Sequence, residues 1–398
     1  MSMRIRSLEA FHLPVHLKQA VQHASQSRHR NDTLIVRCEL TNGSVGWGEA
    51  LPRTYVTGES IESVWRQLSA TDMNQLADQH FTQPRDTVAV LDNLRLADVQ
   101  PDAGLVVREC FGNSVRCALE LSVLDAVCRS AGCSIAELLR SLPEAANIAT
   151  HLSEVRYSGV VTSAASPLSQ YRSALKMRLF GFAQVKAKVG TAGIDDAKFL
   201  QRIRRMVGPN VDLRLDANEA WTPDNMVANV AKLERFEPTC LEQPVAHADV
   251  PVLNELRNIT QVPIMLDESL CCREDAQRAI VGGTCDLFNL RISKCGGLLA
   301  CVRLAAFAHD HNLGYQLGCL VGETGILSAA GRQFACSIAN LRYLEGSYDR
   351  FLVRDSLTAE NLTFRYAGRA PALTGHGLGI TVQEERVRAT ARRSLPLM

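Results

Sequence analysis

The chain has 398 residues, 46% of them hydrophobic and 21% charged, with a formal net charge of +1, which describes a globular protein of two or three domains. No basic stripe or polybasic arm points to nucleic acid, and no apolar run approaches the roughly 20 residues of a membrane span. The thirteen cysteines include no CxxC pair and no signal-like start precedes them, so reduced thiols in a cytoplasmic protein are expected, not a disulfide framework or a zinc site.

Residues 1–135 read as an α+β domain. Met3–Phe11 and Thr33–Thr41 have strand character, Asn42-Gly43 signals a hairpin turn, and Ser44–Ala50 is the return strand. The polar, histidine-bearing segment His16–Asp32 has no clear period and reads as a mobile loop, either a solvated connector or a lid. Helical spacing follows in Ile61–Leu76 and Val88–Leu96, and most strongly in Ser114–Cys128. Gly132 is placed to end that helix, and Ser134 to start a short one over Ile135–Leu142.

Between 147 and 350 the pattern changes. Strand candidates at 148–152, 182–188, 211–216, 239–242, 262–267, 285–292, 313–318 and 341–345 alternate with helices such as Asp195–Val207, Asn225–Phe236, Arg273–Val281 and Leu298–His309. Eight similar units predict an α/β fold whose parallel strands close into a TIM-type barrel, not an open doubly wound sheet. Gly43, Gly46 and Gly48 lie in a hairpin, the wrong context for a phosphate loop. The segment 351–398, with a possible strand at Gly379–Val382 and a basic end at Arg386–Arg393, is expected to return to the first domain.

The chemistry sits at the strand ends. Asp216, Glu242 and Asp267 close three consecutive candidates and would converge in one barrel mouth. Three close carboxylates need a proton or a cation, and hard oxygen donors favour Mg2+ or Mn2+ over zinc. Lys186 and Lys188 share a strand face, on an inner strand where bare charge is costly. Lys294 ends the sixth candidate, opposite the second in an eight-stranded barrel. A carboxylate substrate on the cation would have Lys188 on one face and Lys294 on the other. That arrangement suits removal of the proton next to a carboxylate. The cation stabilises the enolate, and cation and second lysine together lower the pKa of the base. Lys186 would contribute to that lowering or bind a substrate oxygen.

The motifs Lys186-Ala187-Lys188, Asp216-Ala217-Asn218-Glu219-Ala220-Trp221, Glu242-Gln243-Pro244, Asp267-Glu268-Ser269 and Ser293-Lys294-Cys295-Gly296-Gly297 together resemble the enolase superfamily, muconate-lactonizing-enzyme subgroup. The resemblance spans nearly the whole chain. It implies a modified (β/α)7β barrel with an α+β capping domain built from the N-terminal segment and the tail. It also implies Mg2+ on Asp216, Glu242 and Asp267, and Lys188 with Lys294 as the acid/base pair. Asn218 and Glu268 would lie beside the ligands, and Gln19–Asp32 with Tyr55–Glu59 would form the specificity loops. A small-molecule carboxylate substrate and a homo-oligomer are implied too.

The subgroup contains cycloisomerases, o-succinylbenzoate synthases, N-acylamino acid racemases and dipeptide epimerases. The epimerase Asp-x-Asp at the eighth strand is absent here or replaced by Glu345 and Asp349. The acid expected after the seventh strand corresponds to Glu323, one residue later than in the family, either a substrate hydrogen-bonding group or a loop acid. Two opposed lysines favour a racemase or epimerase. The alternatives are a one-base cycloisomerase or elimination reaction and, remotely, a non-catalytic metal-binding descendant.

Overall fold

A computed structural model describes residues 3–22, 27–105, 107–162 and 166–398. The capping domain is built on an antiparallel sheet in the order Arg393–Pro396, Ile5–Gln22, Ser27–Leu40, Val45–Ala50. The C-terminal strand thus pairs with the first one, Glu9 against Pro396 and His12 against Arg393. Helix Asn113–Ala131 covers this sheet, with Val115, Leu119, Leu121 and Leu124 buried. Gly46 and Gly48 permit the close approach, because a Cβ on either would collide with the helix backbone at Ala126 and Ala118. The helix ends at Gly132, whose φ of 69° is left-handed, and Ser134 caps Ile135–Ser141 through a reciprocal pair with Glu137.

Outside residues 23–26, the segment His16–Asp32 is strand and not a loop. The ladder between the first two strands continues through His16 and Arg30, shifts register, and resumes at Val21 with Arg28 and Gln22 with Ser27. Residues 23–26 lie outside the described residues. Backbone pairing holds this hairpin without an apolar period, and the barrel holds its flank. Leu17 bridges Val353, and the Arg354 N–H donates to the His16 carbonyl at 3.0 Å.

The barrel strands are Gly159–Val161, Gln184–Lys188, Asp212–Asp216, Cys240–Glu242, Ile264–Leu266, Leu287–Leu290, Gly314–Leu317 and Leu341–Leu344. They neighbour one another in sequence order, all parallel. The Ser158 N–H donates to the Leu344 carbonyl at 2.8 Å and joins the first edge to the last. A helix follows each of the first seven strands, and the eighth is followed directly by the single turn Asp349–Leu352. The architecture is a (β/α)7β barrel with an α+β cap.

Two expectations shift in register. The first barrel strand is Gly159–Val161, not 148–152. Ala149 makes only an isolated bridge to Ile338, and Glu154–Arg156 pairs antiparallel with Arg369–Pro371 outside the barrel. The sixth strand stops at Leu290, and Ile292–Cys295 is a helical turn. Lys294 therefore stands on a turn beyond the strand.

Buried carboxylates join cap to barrel. Glu49 accepts hydrogen bonds from the Thr324 and Leu327 N–H groups at 2.8 and 2.9 Å, at the start of helix Gly325–Ser337. Glu120 accepts from the Leu299 N–H at 3.1 Å, at the start of Leu298–Asp310. These caps satisfy helix donors that would otherwise be orphaned. All thirteen cysteines are free. Among the described residues no helix is long and apolar enough to cross a membrane.

Candidate active site

Strand register lines up the acids. Lys188 pairs with Asp216, and Asp216 with Glu242, in one row across three strands. Lys186 and Arg214 form the row beneath. Asp267 follows the fifth strand, and its N–H donates to Gln243 Oε1 at 2.9 Å. Gln243 also donates to the Ser269 hydroxyl at 2.7 Å, which fixes the turns after strands four and five against each other. Asn218 and Gln243 adopt left-handed φ values of 44° and 37°. The turn at Asn218 is held by its own N–H, which donates to Asp216 Oδ1 at 3.0 Å. Strain of this kind persists where surroundings over-determine it, as at sites.

Charge is dense and interlocked here. Lys186 Nζ lies 3.1 Å from Asp216, 3.4 Å from Glu242 and 2.8 Å from Glu345. Arg214 pairs with Glu345, bonds Gln316 and stacks 4.4 Å above the Tyr343 ring. Arg291 pairs with Asp267 and stands 3.7 Å from Glu242, to which Asn289 also donates at 2.8 Å. Lys294 Nζ donates to Asp267 Oδ1 at 2.9 Å and to the carbonyls of Asp267 and Asn289 at 2.6 and 2.9 Å. Lys188 donates to Asn218 Oδ1 at 2.6 Å, and Asn218 Nδ2 donates to Glu268 at 3.4 Å.

Burial and the Asp216 charge lift Glu242 to about 8. Burial opposes ionisation of Asp216 and Asp267 too, but their basic neighbours outweigh it. Lys186 and Lys188 hold Asp216 below the usual carboxylate range, and Arg291 and Lys294 do so for Asp267. Lys294 is pushed up by Asp267 against its own burial.

Asp216, Glu242 and Asp267 offer only oxygen donors and are all buried, and Asp216 Oδ2 has its ion pair with Lys186 but no hydrogen bond. This donor set fits Mg2+ or Mn2+. Among the described residues, the acids and thiols whose ligand atoms lie within 4.8 Å of one another are instead Glu109, Cys272 and Asp275. That group is clamped by Arg108 and Arg278.

Two sequence candidates stand apart from the acids. Glu323 accepts from the Leu320 N–H of its own loop at 2.6 Å, and burial lifts it to about 8. It lines a cavity with Ile292, Leu317 and Glu345. Asp349 accepts from the Ser328 hydroxyl at 2.6 Å and faces helix Gly325–Ser337. Sequence reasoning missed Arg214, Asn289 and Arg291. Arg214 was recoverable, since it precedes Asp216 by two and shares its strand face.

A family model for the enolase C-terminal domain-like fold matches residues 170–386. The chain belongs to the enolase superfamily. This superfamily chain is 28% identical to the L-Ala-D/L-Glu epimerase of Bacillus subtilis over 95% of its length and 97% of that protein's. It is 28% identical to the chloromuconate cycloisomerase of Cupriavidus pinatubonensis, covering 98% and 100%. The solved N-succinyl Arg/Lys racemase of Bacillus cereus superposes with a TM-score of 0.84 at 22% identity, over 99% of each chain. Epimerase, cycloisomerase and racemase are all isomerases.

Proposed function

We propose that this enzyme moves a proton at the carbon next to a substrate carboxylate, racemising or epimerising an N-acylamino acid or a dipeptide. The observation that carries the reading is the placement of Lys188 and Lys294. One ends the second strand and the other follows the sixth, with Asp216, Glu242 and Asp267 at the ends of the strands between. Asp216, Glu242 and Asp267 would hold Mg2+, which would supply electrostatic stabilisation for the negative charge that develops as the α-proton leaves.

The chain's own residues divide the proton work. Lys188, steadied by Asn218, takes the α-proton on one face. Lys294, held as an ammonium by Asp267 and two backbone carbonyls, returns one on the other. For the opposite enantiomer the roles exchange. Lys186 is committed to Asp216, Glu242 and Glu345, which suits a fixed positive charge under the acids better than a substrate contact. The thirteen free thiols support a cytoplasmic setting.

The test is incubation in D2O with Mg2+ and pooled N-acylamino acids and dipeptides, read by mass for α-deuterium and by chiral chromatography for inversion. Uptake with inversion is expected. Lys188→Ala and Lys294→Ala should each lose activity by about 10²–10⁴-fold. A fully active Lys294→Ala overturns the two-lysine version. The full-length match to a cycloisomerase favours the second reading, a one-base reaction, for which exchange without inversion is the signature.

A further inference from the structure

We propose that Arg291 competes with the divalent cation for Asp267 and Glu242, so that the ion binds only as the guanidinium withdraws. The inference rests on the reading of Asp216, Glu242 and Asp267 as the ligands. Arg291 pairs directly with Asp267 Oδ2 and stands 3.7 Å from Glu242 Oε1. It therefore bridges two of the three acids. A guanidinium and a divalent ion that draw on the same carboxylate oxygens repel each other and contend for the same lone pairs.

The crowding of basic groups favours the competition. Asp216, Glu242, Asp267 and Glu345 are contacted by Lys186, Arg214, Arg291 and Lys294, all within one network. A divalent cation added to this set leaves two uncompensated positive charges in a buried site, which is costly. One basic side chain has to give way.

Three of the four are tied down. Lys186 has three carboxylate partners. Arg214 is locked by Glu345, Gln316 and the Tyr343 ring. Lys294 is held by two backbone carbonyls that have no part in ligation by side chains. Among the described residues Arg291 has the two ligand carboxylates as its only ion-pair partners, and at 8% it is the most exposed of the four. Glu268 and Glu345 are the next acids whose charge acts on it, and they are the groups it would turn towards. Its contacts with the ligands are then subtracted from the affinity for the ion, which keeps the ion exchangeable.

The experiment is Mn2+ titration followed by electron paramagnetic resonance, on chelator-stripped wild type and Arg291→Met. Arg291→Met is expected to bind Mn2+ about tenfold or more tightly, the equivalent of one displaced charge-assisted contact. In chelator it should melt below wild type, and saturating Mn2+ should narrow the gap, because a ligand binding only the folded state stabilises it. Equal or weaker Mn2+ binding overturns the competition and makes Arg291 a supporting residue. Should Arg291→Met not fold, Arg291→Lys, with no fork to bridge both acids, is read the same way. Tighter binding supports the proposal and equal or weaker binding overturns it. Absence of Mn2+ binding in every protein overturns the ligand assignment, and this inference with it.

Discussion

Within the barrel, single side chains carry more than one duty. Glu345 neutralises both Lys186 and Arg214 in a place closed to water. Removing its charge leaves two buried cations short of a partner, so Glu345→Leu is expected to cost about 3–5 kcal/mol in urea denaturation. Arg214→Lys is not a mild change either, since lysine has no planar fork for Glu345 and Gln316 and no flat face for Tyr343. Its midpoint should fall in the same experiment. The strand-end positions of Asp216, Glu242 and Asp267 were legible in the sequence because each closes an apolar run. Asn289 was not, because it sits inside its strand, where a polar residue is first read as interrupting the pattern; Arg214 was passed over for the same reason, although its spacing from Asp216 puts both on one strand face. Glu345 was noted only as a replacement for a family motif, and its burial between two cations could not be read from neighbours far away in the chain.

Among the elements, the glycine pair after Lys294 sets how the sixth helix meets the cap. Gly297 has a φ of 125°, and a Cβ there would collide with the Glu120 carboxylate that caps the helix Leu298–Asp310. Gly297→Ala therefore strains the backbone by about 1–3 kcal/mol and also pushes Glu120 off the Leu299 N–H. The melting temperature should drop by more than in Gly43→Ala, where nothing crowds the new methyl group. The long cap hairpin is tied down by Arg53, which donates to Asn31 and to the Val321 carbonyl, each at 3.0 Å. Arg53→Ala is expected to speed amide exchange along the hairpin while the barrel strands stay protected. The barrel was legible because its repeat recurs along the chain. The hairpin was hidden because its cohesion is in backbone pairing and in contacts with Val353 and Arg354, which leave no apolar period. The first barrel strand was misplaced because three residues, Gly159–Val161, give a pattern too short to stand out.

Over the whole molecule, stability depends on carboxylates that are buried to cap helices. Glu49 and Glu120 tie the cap to barrel helices, and Glu59 accepts from the Ser114 N–H and hydroxyl at the start of helix Asn113–Ala131. Burial lifts all three to about 7, against the hydrogen bonds they accept. A carboxylate whose pKa is higher in the folded chain binds more protons there than in the unfolded one. Its contribution is complete below the unfolded value near 4.5 and is lost as pH rises through about 7. Each shift of that size corresponds to roughly 3 kcal/mol at most. Asp86 and Glu109, lowered to about 2, act in the opposite sense and in another window, losing their contribution only as pH falls from the ordinary carboxylate range towards 2. Raising the pH from 5 to 8 is therefore expected to lower the melting temperature. In Glu49→Gln and Glu120→Gln, each of which removes one titrating group and keeps one acceptor oxygen, the slope should flatten. A wild-type melting temperature that holds constant or rises across that interval would show that these caps are ionised throughout, with the helix N-termini compensating their burial in full.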